Sequence, residues 1–445
     1  MIYKNPKFYK KLITLALPIS LQFLFNFALL LSDNIMLGIR GGESLASLHV
    51  ASQIQIFVQM LATGLEGGIL VLGAQLYGKG DVEKCDKILN IGIIFCIAFG
   101  IIFMLLALFI PKILLGIFTS HPEIIDTGAD YLKIFAPSYP LFLLSGVLIA
   151  SLKSRENTKV GCIVSGFTLA IKILLNYLLI FKFNSENPLN STAIATVCAR
   201  GAELAILLFY ITVARRELKG RIISLLKPDF TLVPMFLKAA APILLSQIVW
   251  GSSTLYANAL LSNKNLPALT SALGISNTIY TLGYVLMNGL SGALGIITAE
   301  NVGKGKSDTV YEYKSTMEIL FLALGILTGG LMFFLKAPFL SLYNLNAEAY
   351  EISSALISVL SFTIIFTYYE NSILNSLVKS GGDVKFTMKS DALFLIFFTV
   401  PASLLASSLG VSKIWLFFIL KADQILKCAA AFFKIRTKGF LKVLS

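Results

Sequence analysis

Charge is scarce in this 445-residue chain: only 14% of its residues are Asp, Glu, Lys or Arg, against about 25% in an ordinary soluble domain. A water-soluble enzyme is excluded on that ground. Histidine is nearly absent. The two present, His49 and His121, lie near the expected outer ends of apolar runs and supply neither an H-E-x-x-H zinc motif nor a histidine-based triad. Five cysteines (Cys85, Cys96, Cys162, Cys198, Cys428) are scattered without C-x-x-C spacing, so they read as small apolar residues and form neither a disulfide framework nor a metal site. Gly305-Lys306-Ser307 resembles the end of a phosphate-binding loop, but the glycine required five residues earlier is Glu300. ATP hydrolysis is therefore not expected, nor is any cofactor. No catalytic constellation remains, so the chain reads as a non-enzyme whose work is driven by an ion gradient.

What is abundant is apolar sequence, at 56% of residues with a mean hydropathy of +0.80. Leu12 to Ser32, Ile88 to Pro111 and Ile319 to Leu335 carry no charge. Further apolar runs lie near 50–76, 131–152, 160–183, 193–214, 235–261, 268–299, 350–378, 386–409 and 413–433. At about 20 residues per span, these predict twelve transmembrane helices with short loops and no folded soluble domain. The start, with Lys4, Lys7, Lys10 and Lys11 before an apolar run, resembles a signal peptide. The run is too long for one and no cleavage site is evident before Asp33, so it predicts an uncleaved first span.

The formal net charge of +13 is mostly orientation. With the N-terminus inside, the N-tail, the 77–87, 153–159, 215–238, 301–314 and 379–389 loops and the C-tail hold 26 of the 37 Lys and Arg residues. The outer segments hold seven: Arg40, Lys112, Lys133, Lys182, Lys264, Lys336 and Lys413. Positive residues concentrated on one side place both termini in the cytoplasm and leave no case for nucleic-acid binding. Four basic residues, Lys172, Arg200, Lys421 and Lys427, remain inside spans.

The two halves repeat. Ala16-Leu17-Pro18-Ile19 returns as Ala240-Ala241-Pro242-Ile243 at an offset of 224, Gly64-Leu65-Glu66-Gly67 as Gly289-Leu290-Ser291-Gly292 and Gly78-Lys79-Gly80 as Gly303-Lys304-Gly305 at 225, and Asn157-Thr158-Lys159 as Asp383-Val384-Lys385 at 226. Each unit has six spans, so both start on the same side of the membrane and are expected to be related by a pseudo-twofold axis along the membrane normal. The expected architecture is all-α, with an N-terminal lobe over 1–220 and a C-terminal lobe over 221–445 enclosing a central cavity suited to alternating access. The repeated Gly-Lys-Gly is expected to form a tight turn held on the cytoplasmic side by its lysine.

Several stretches then resemble the multidrug and toxic compound extrusion (MATE) transporters: Leu15-Ala16-Leu17-Pro18, Ser32-Asp33-Asn34-Ile35-Met36-Leu37-Gly38, Gly73-Ala74-Gln75-Leu76-Tyr77-Gly78-Lys79-Gly80, Leu175-Asn176-Tyr177-Leu178-Leu179-Ile180-Phe181 and Ala193-Ile194-Ala195-Thr196. Their order and spacing, with the repeat, carry the likeness from about residue 10 to 436. The first-span aspartate looks most like the branch typified by the bacterial DNA-damage-inducible protein F. The resemblance implies export of organic, often cationic compounds in exchange for protons or sodium ions, from a bacterial plasma membrane.

Asp33 is the strongest candidate for ion coupling, since a charge within a span costs ~2.5–3.5 kcal/mol on insertion scales and such a cost marks function. Asn26, two turns earlier, shares its helix face. On span five, Lys172 and Asn176 stand where the resembling family commonly carries an asparagine and an acidic residue of a first-lobe cation site. A tethered ammonium beside Asp33 competes with sodium. Lys172 is therefore expected to pair with Asp33 and to be released when Asp33 is protonated. In the second lobe the repeat places Asn258 opposite Asp33, and the candidate carboxylate is Glu370, within Tyr368-Tyr369-Glu370-Asn371. Carboxylates and aromatic faces suit cationic substrates, so Glu370, Tyr369, Tyr256, Tyr280 and Tyr284 are candidate substrate contacts. Sodium near Asp33 or Glu370 is the alternative coupling ion. Gln53, Asn277 and Asn288 read as cavity donors or interhelical bonds. Arg200 with Glu203, and Asp423 with Lys427, have the spacing of same-helix pairs. Glu66 sits among glycines where helices approach closely. Pro18 and Pro242 permit bending of spans one and seven, and in the resembling family a bend of span one accompanies cation loading.

These features predict a monomeric antiporter whose partners are a small organic substrate, a proton or sodium ion and the bilayer. The alternative is a lipid-linked oligosaccharide flippase of the same superfamily. Its pyrophosphate head groups call for several basic cavity residues, and only Lys172 and Arg200 are available.

Overall fold

The computed structural model describes residues 3–39, 45–183, 185–214, 229–262, 267–343 and 345–444. Arg40, Lys264, the basic residues of 215–228 and the expected lobe boundary at 220 lie outside them. Among the described residues the chain is helical without a β-strand. Its helices are α1 (Pro6–Ile39), α2 (Leu45–Lys79), α3 (Val82–Phe109), α4 (Pro111–Gly116), α5 (Pro122–Phe135), α6 (Ser138–Ser154), α7 (Thr158–Tyr177), α8 (Pro188–Phe209), α9 (Val233–Ser262), α10 (Pro267–Gly303), α11 (Ser307–Leu340), α12 (Ala347–Ile373), α13 (Val384–Phe394), α14 (Val400–Ser408), α15 (Lys413–Lys421) and α16 (Asp423–Arg436).

Among the described residues, ten helical stretches are long and apolar enough to cross a bilayer. An eleventh span is the pair α5 and α6, bent by 50° at Ala136-Pro137, where proline cannot continue the preceding hydrogen-bond ladder. The twelfth apolar run, 413–433, is broken at Ala422 into α15 and α16, and Lys421, Asp423 and Lys427 crowd that break. Among the described residues, single π-helical turns extend three spans, at Leu178–Lys182, Tyr210–Ala214 and Leu374–Lys379, and a fourth, at Leu395–Thr399, joins α13 to α14 within one span. The first of these begins two residues after Asn176, and the third four residues after Glu370.

The chain divides into two compact units. One comprises Leu21–Leu244, the other Met1–Ser20 with Leu245–Ser445. The boundaries fall inside α1 and α9, two residues after Pro18 and Pro242, each of which lies within its helix. The repeated glycine motif explains part of this division. In the first unit a Cβ on Gly68 would lie 2.6 Å from the Ala240 Cβ, and one on Gly64 2.7 Å from the Leu244 Cβ, so the bare face of α2 receives the start of α9. In the second unit a Cβ on Gly289 would lie 1.8 Å from the Ser20 Oγ and 2.7 Å from the Ala16 carbonyl, so α10 receives the start of α1 in the same way. Small residues permit such backbone approach in lipid, where van der Waals packing between helices replaces the hydrophobic effect. The Gly-Lys-Gly turns close with Gly80 at φ +79° and Gly305 at φ +73°, a left-handed conformation that glycine adopts without Cβ strain.

The second unit's core is a cluster running from Leu261 through Tyr280, Leu356, Leu360 and Ile364 to Leu420. Its N-terminal segment is also anchored: Tyr3 N–H donates to Thr316 Oγ1 at 2.7 Å, Phe8 stacks on Tyr313 at 4.8 Å, and Lys11 pairs with Glu300 at 2.6 Å.

Candidate functional site

In the first unit, the 34-residue α1 carries Asp33 six residues before its end, and α7 carries Lys172 and Asn176. Spacing of four puts the last two on one face of α7, and that face meets α1. Lys172 Nζ donates to Asp33 Oδ2 at 2.8 Å and to the Leu29 carbonyl at 3.2 Å, while Asn176 Nδ2 donates to Asp33 Oδ1 at 2.8 Å. All three side chains are buried, Asn176 completely. Each carboxylate oxygen thus has its own donor, and the ammonium cancels the charge that would otherwise be stranded in the membrane. The Asn176 Oδ1 is buried with no hydrogen-bond partner among the described residues. Asn26 is exposed and is not part of this cluster.

Glu66, on α2, lies in the same unit. A Cβ on Gly146 would lie 2.0 Å from Glu66 Oε1, so the carboxyl group rests on bare backbone of α6. Arg200 Nη1 bonds Glu203 Oε2 at 2.6 Å and its guanidinium lies 4.8 Å from the Phe142 ring centroid, which neutralises both charges locally. Gln53 is half-buried and bonds the carbonyl of His49 on its own helix.

In the second unit Glu370 is buried on α12. It faces a charge cluster drawn from two other helices: Lys427 Nζ lies 3.1 Å from Asp391 Oδ1 and 3.1 Å from Asp423 Oδ2, and interacts electrostatically with Glu370. The hydroxyl of Ser246 bonds Asp391. Asp391 was missed by sequence reasoning although it lies at the sixth position of the apolar run 386–409, where any carboxylate is costly. Its partner, Lys427, is 36 residues away and already matched by Asp423 on its own helix, so spacing alone gave no second pairing.

The tyrosines separate. Tyr280 and Tyr284 hydrogen-bond through their hydroxyls at 3.2 Å with ring centroids 4.8 Å apart, and Tyr284 lies within electrostatic reach of Glu370. Thr367 bonds Tyr280 at 3.3 Å, and Lys421 Nζ stands 5.3 Å from the Tyr280 ring centroid. Tyr369 corrects the expectation of a single aromatic group. Its hydroxyl donates to Glu318 Oε1 at 2.6 Å, the oxygen that also accepts from Arg436 at 3.2 Å, because residues one apart on a helix point about 100° apart. Tyr256 is tied at 2.8 Å to Ser403. Asn288 bonds the Tyr284 carbonyl on its own helix at 3.1 Å, while Asn258 and Asn277 are exposed.

Two stretches of the chain, 18–178 and 242–405, match the model of a single family, MatE. They begin at Pro18 and Pro242, the two repeated prolines. The chain belongs to the MatE family. Among MatE relatives, it is 24% identical over 385 residues to a probable multidrug resistance protein NorM of Thermotoga maritima, covering 85% of this chain and 81% of that one. It is 22% identical over 366 residues to a probable multidrug resistance protein NorM of Agrobacterium fabrum, covering 80% and 77%. The fold is that of solved MATE structures. A Vibrio cholerae MATE transporter superposes with a TM-score of 0.86 at 17% identity over 96% of each chain. The eukaryotic MATE transporter AtDTX14 does so with 0.85 at 18% identity over 97% of this chain and 96% of that one. Those structures have twelve helices in two lobes, in keeping with the twelve spans read from the sequence. The MatE chain described here is therefore a multi-pass membrane transporter.

Proposed function

We propose that this MatE protein exports amphiphilic, cationic organic compounds by alternating access in exchange for protons, with Asp33 as the proton-carrying group and Lys172 as its internal counter-ion. The observation that carries the reading is the buried Lys172–Asp33–Asn176 cluster. A sodium ion needs several oxygen ligands, and here the ammonium occupies both Asp33 Oδ2 and the Leu29 carbonyl. The site is thus matched to a proton. A proton arriving on Asp33 cancels the attraction that holds Lys172. The Asn176 amide can then turn its unpartnered Oδ1 to accept from the new hydroxyl. Loading a proton thereby exchanges one bonded arrangement of α1 against α7 for another, with Lys172 released from Asp33. Inward flow is driven by about 2.3 kcal/mol per charge per 100 mV, plus the proton gradient.

In the second unit, Glu370 with the Tyr280–Tyr284 pair forms a cation-attracting surface, and the relatives' name as multidrug resistance proteins supports an organic substrate. The distribution of lysine and arginine supports both termini in the cytoplasm, and the bacterial relatives support a bacterial plasma membrane location. The test is efflux from a host lacking its own exporters, with the gradients collapsed separately. Efflux abolished by a proton ionophore and indifferent to a sodium ionophore supports the reading. Efflux that follows sodium, or that survives both treatments, defeats it.

A further inference from the structure

The first unit contains a cavity of about 220 Å³ between α3, α6 and α8 that the transport reading does not use. Its lining is graded. Asp86, Asn90, Ser151 and Arg155 lie together at the end next to the 80–81 and 155–157 turns, whereas the opposite end, at Ile97 and Leu144, is wholly apolar. From Asp86 to Ile97, and again from Leu144 to Arg155, is eleven residues, or about 16 Å of helix at 1.5 Å per residue. That is one leaflet's share of a hydrocarbon core about 30 Å thick.

The polar end is a built one. Arg155 is 7% exposed and its Nη2 bonds Asp86 Oδ1 at 2.6 Å, yet its Nε is buried with no acceptor among the described residues. A buried donor left in that state is destabilising, and an incoming acceptor relieves it. The flanking 77–87 and 153–159 turns carry Lys79, Lys84, Lys87, Arg155 and Lys159 against Asp81, Glu83, Asp86 and Glu156, while Lys153 instead interacts with Glu66. We propose that this cavity binds one acyl chain of an anionic phospholipid from the adjoining leaflet, with the phosphate accepting from Arg155 Nε at the interface and the chain running toward Ile97 and Leu144.

The full-length protein in phosphatidylcholine vesicles, doped with a phosphatidylglycerol bearing a diazirine at the end of one chain, tests this by photolabelling and peptide mapping. Label is expected to concentrate around Ile97 and Leu144 and to be competed by unlabelled phosphatidylglycerol. It should fall about tenfold in Leu208→Trp, which fills the mouth from a 42% exposed position, and Ile97→Trp serves if that variant does not fold. It should fall about fivefold in Arg155→Lys, which keeps the charge but has no Nε–H. Label spread over the lipid-facing helices in proportion to exposure, or unchanged by the tryptophan variants, overturns the site. Equal labelling by a diazirine diacylglycerol without phosphate overturns the role given to Arg155.

Discussion

Lys172 and Asp33 lie 139 residues apart in sequence and 2.8 Å apart in space, each buried and each the other's neutralising charge. Opposite charges closed on one another in this way form a self-contained latch between α1 and α7. Opening it by removing one partner is expected to cost about 3–5 kcal/mol, because the other charge is left in the membrane unpaired. Lys172→Ala should therefore bind protons at Asp33 more readily, moving the pH dependence of efflux toward the alkaline side, and should lower thermal stability in detergent. Transport whose pH profile is unchanged in this variant contradicts the latch.

Glu370 and Tyr369 are neighbours in sequence with different surroundings, and their variants should separate accordingly. Glu370→Gln is expected to weaken export of cationic compounds by tenfold or more while sparing neutral ones. Tyr369→Phe removes only the bond to Glu318, at about 1 kcal/mol of stability, and should leave the substrate range unchanged. Minimum inhibitory concentrations for a set of cationic and neutral drugs measure both.

The turn between the tenth and eleventh spans is held by the C-terminal tail. Lys442 N–H donates to the Gly381 carbonyl at 2.7 Å, and Asp383 accepts from Lys434 at 2.7 Å and Lys442 at 2.9 Å. Burial pushes the Asp383 carboxyl up, but hydrogen bonds from the two lysines outweigh it and hold it below the ordinary aspartate value. A carboxyl lowered by folding adds stability that is complete above its unfolded pKa, near 4, and is lost as pH falls through the folded value. Asp383→Asn should therefore destabilise by about 1 kcal/mol at neutral pH, discounted for the exposed Lys442, and should flatten the acid limb of a melting-temperature profile. An unchanged acid limb would show that the tail does not hold the turn through this carboxylate.

Gly289→Ala and Gly68→Ala drive a methyl group into the facing helix and should each lower stability by about 1–3 kcal/mol. Gly201→Ala and Gly330→Ala, where a Cβ meets nothing within 4 Å, should be neutral or slightly stabilising. Thermal shifts of the four variants in one detergent compare them directly.

Much of this was legible in the sequence because membrane insertion leaves few choices. Runs of uncharged residues set the spans, and the glycines around Glu66 pointed to a close helix contact, which Gly64 and Gly68 make with Leu244 and Ala240. Asp33, Lys172 and Glu370 stood out because each is a charge where charge is costly. Periodicity does not say which helix faces which, so Asp391 joining Lys427, Tyr369 turning to Glu318, and the buried Asp86–Arg155 pair emerged only from the fold. The division of α1 and α9 just beyond their prolines was likewise invisible in the apolar pattern, which is continuous through both.

Substrate-induced proton release tests the account most directly. Purified protein in weakly buffered detergent solution, with a pH-indicating dye, is mixed with a cationic drug. The wild type is expected to release about one proton per drug bound, Asp33→Asn to release none, and Lys172→Ala to release its proton over a more alkaline range. Release from Asp33→Asn equal to that of the wild type would show that the proton is carried elsewhere and would contradict the coupling role of the Lys172–Asp33 pair.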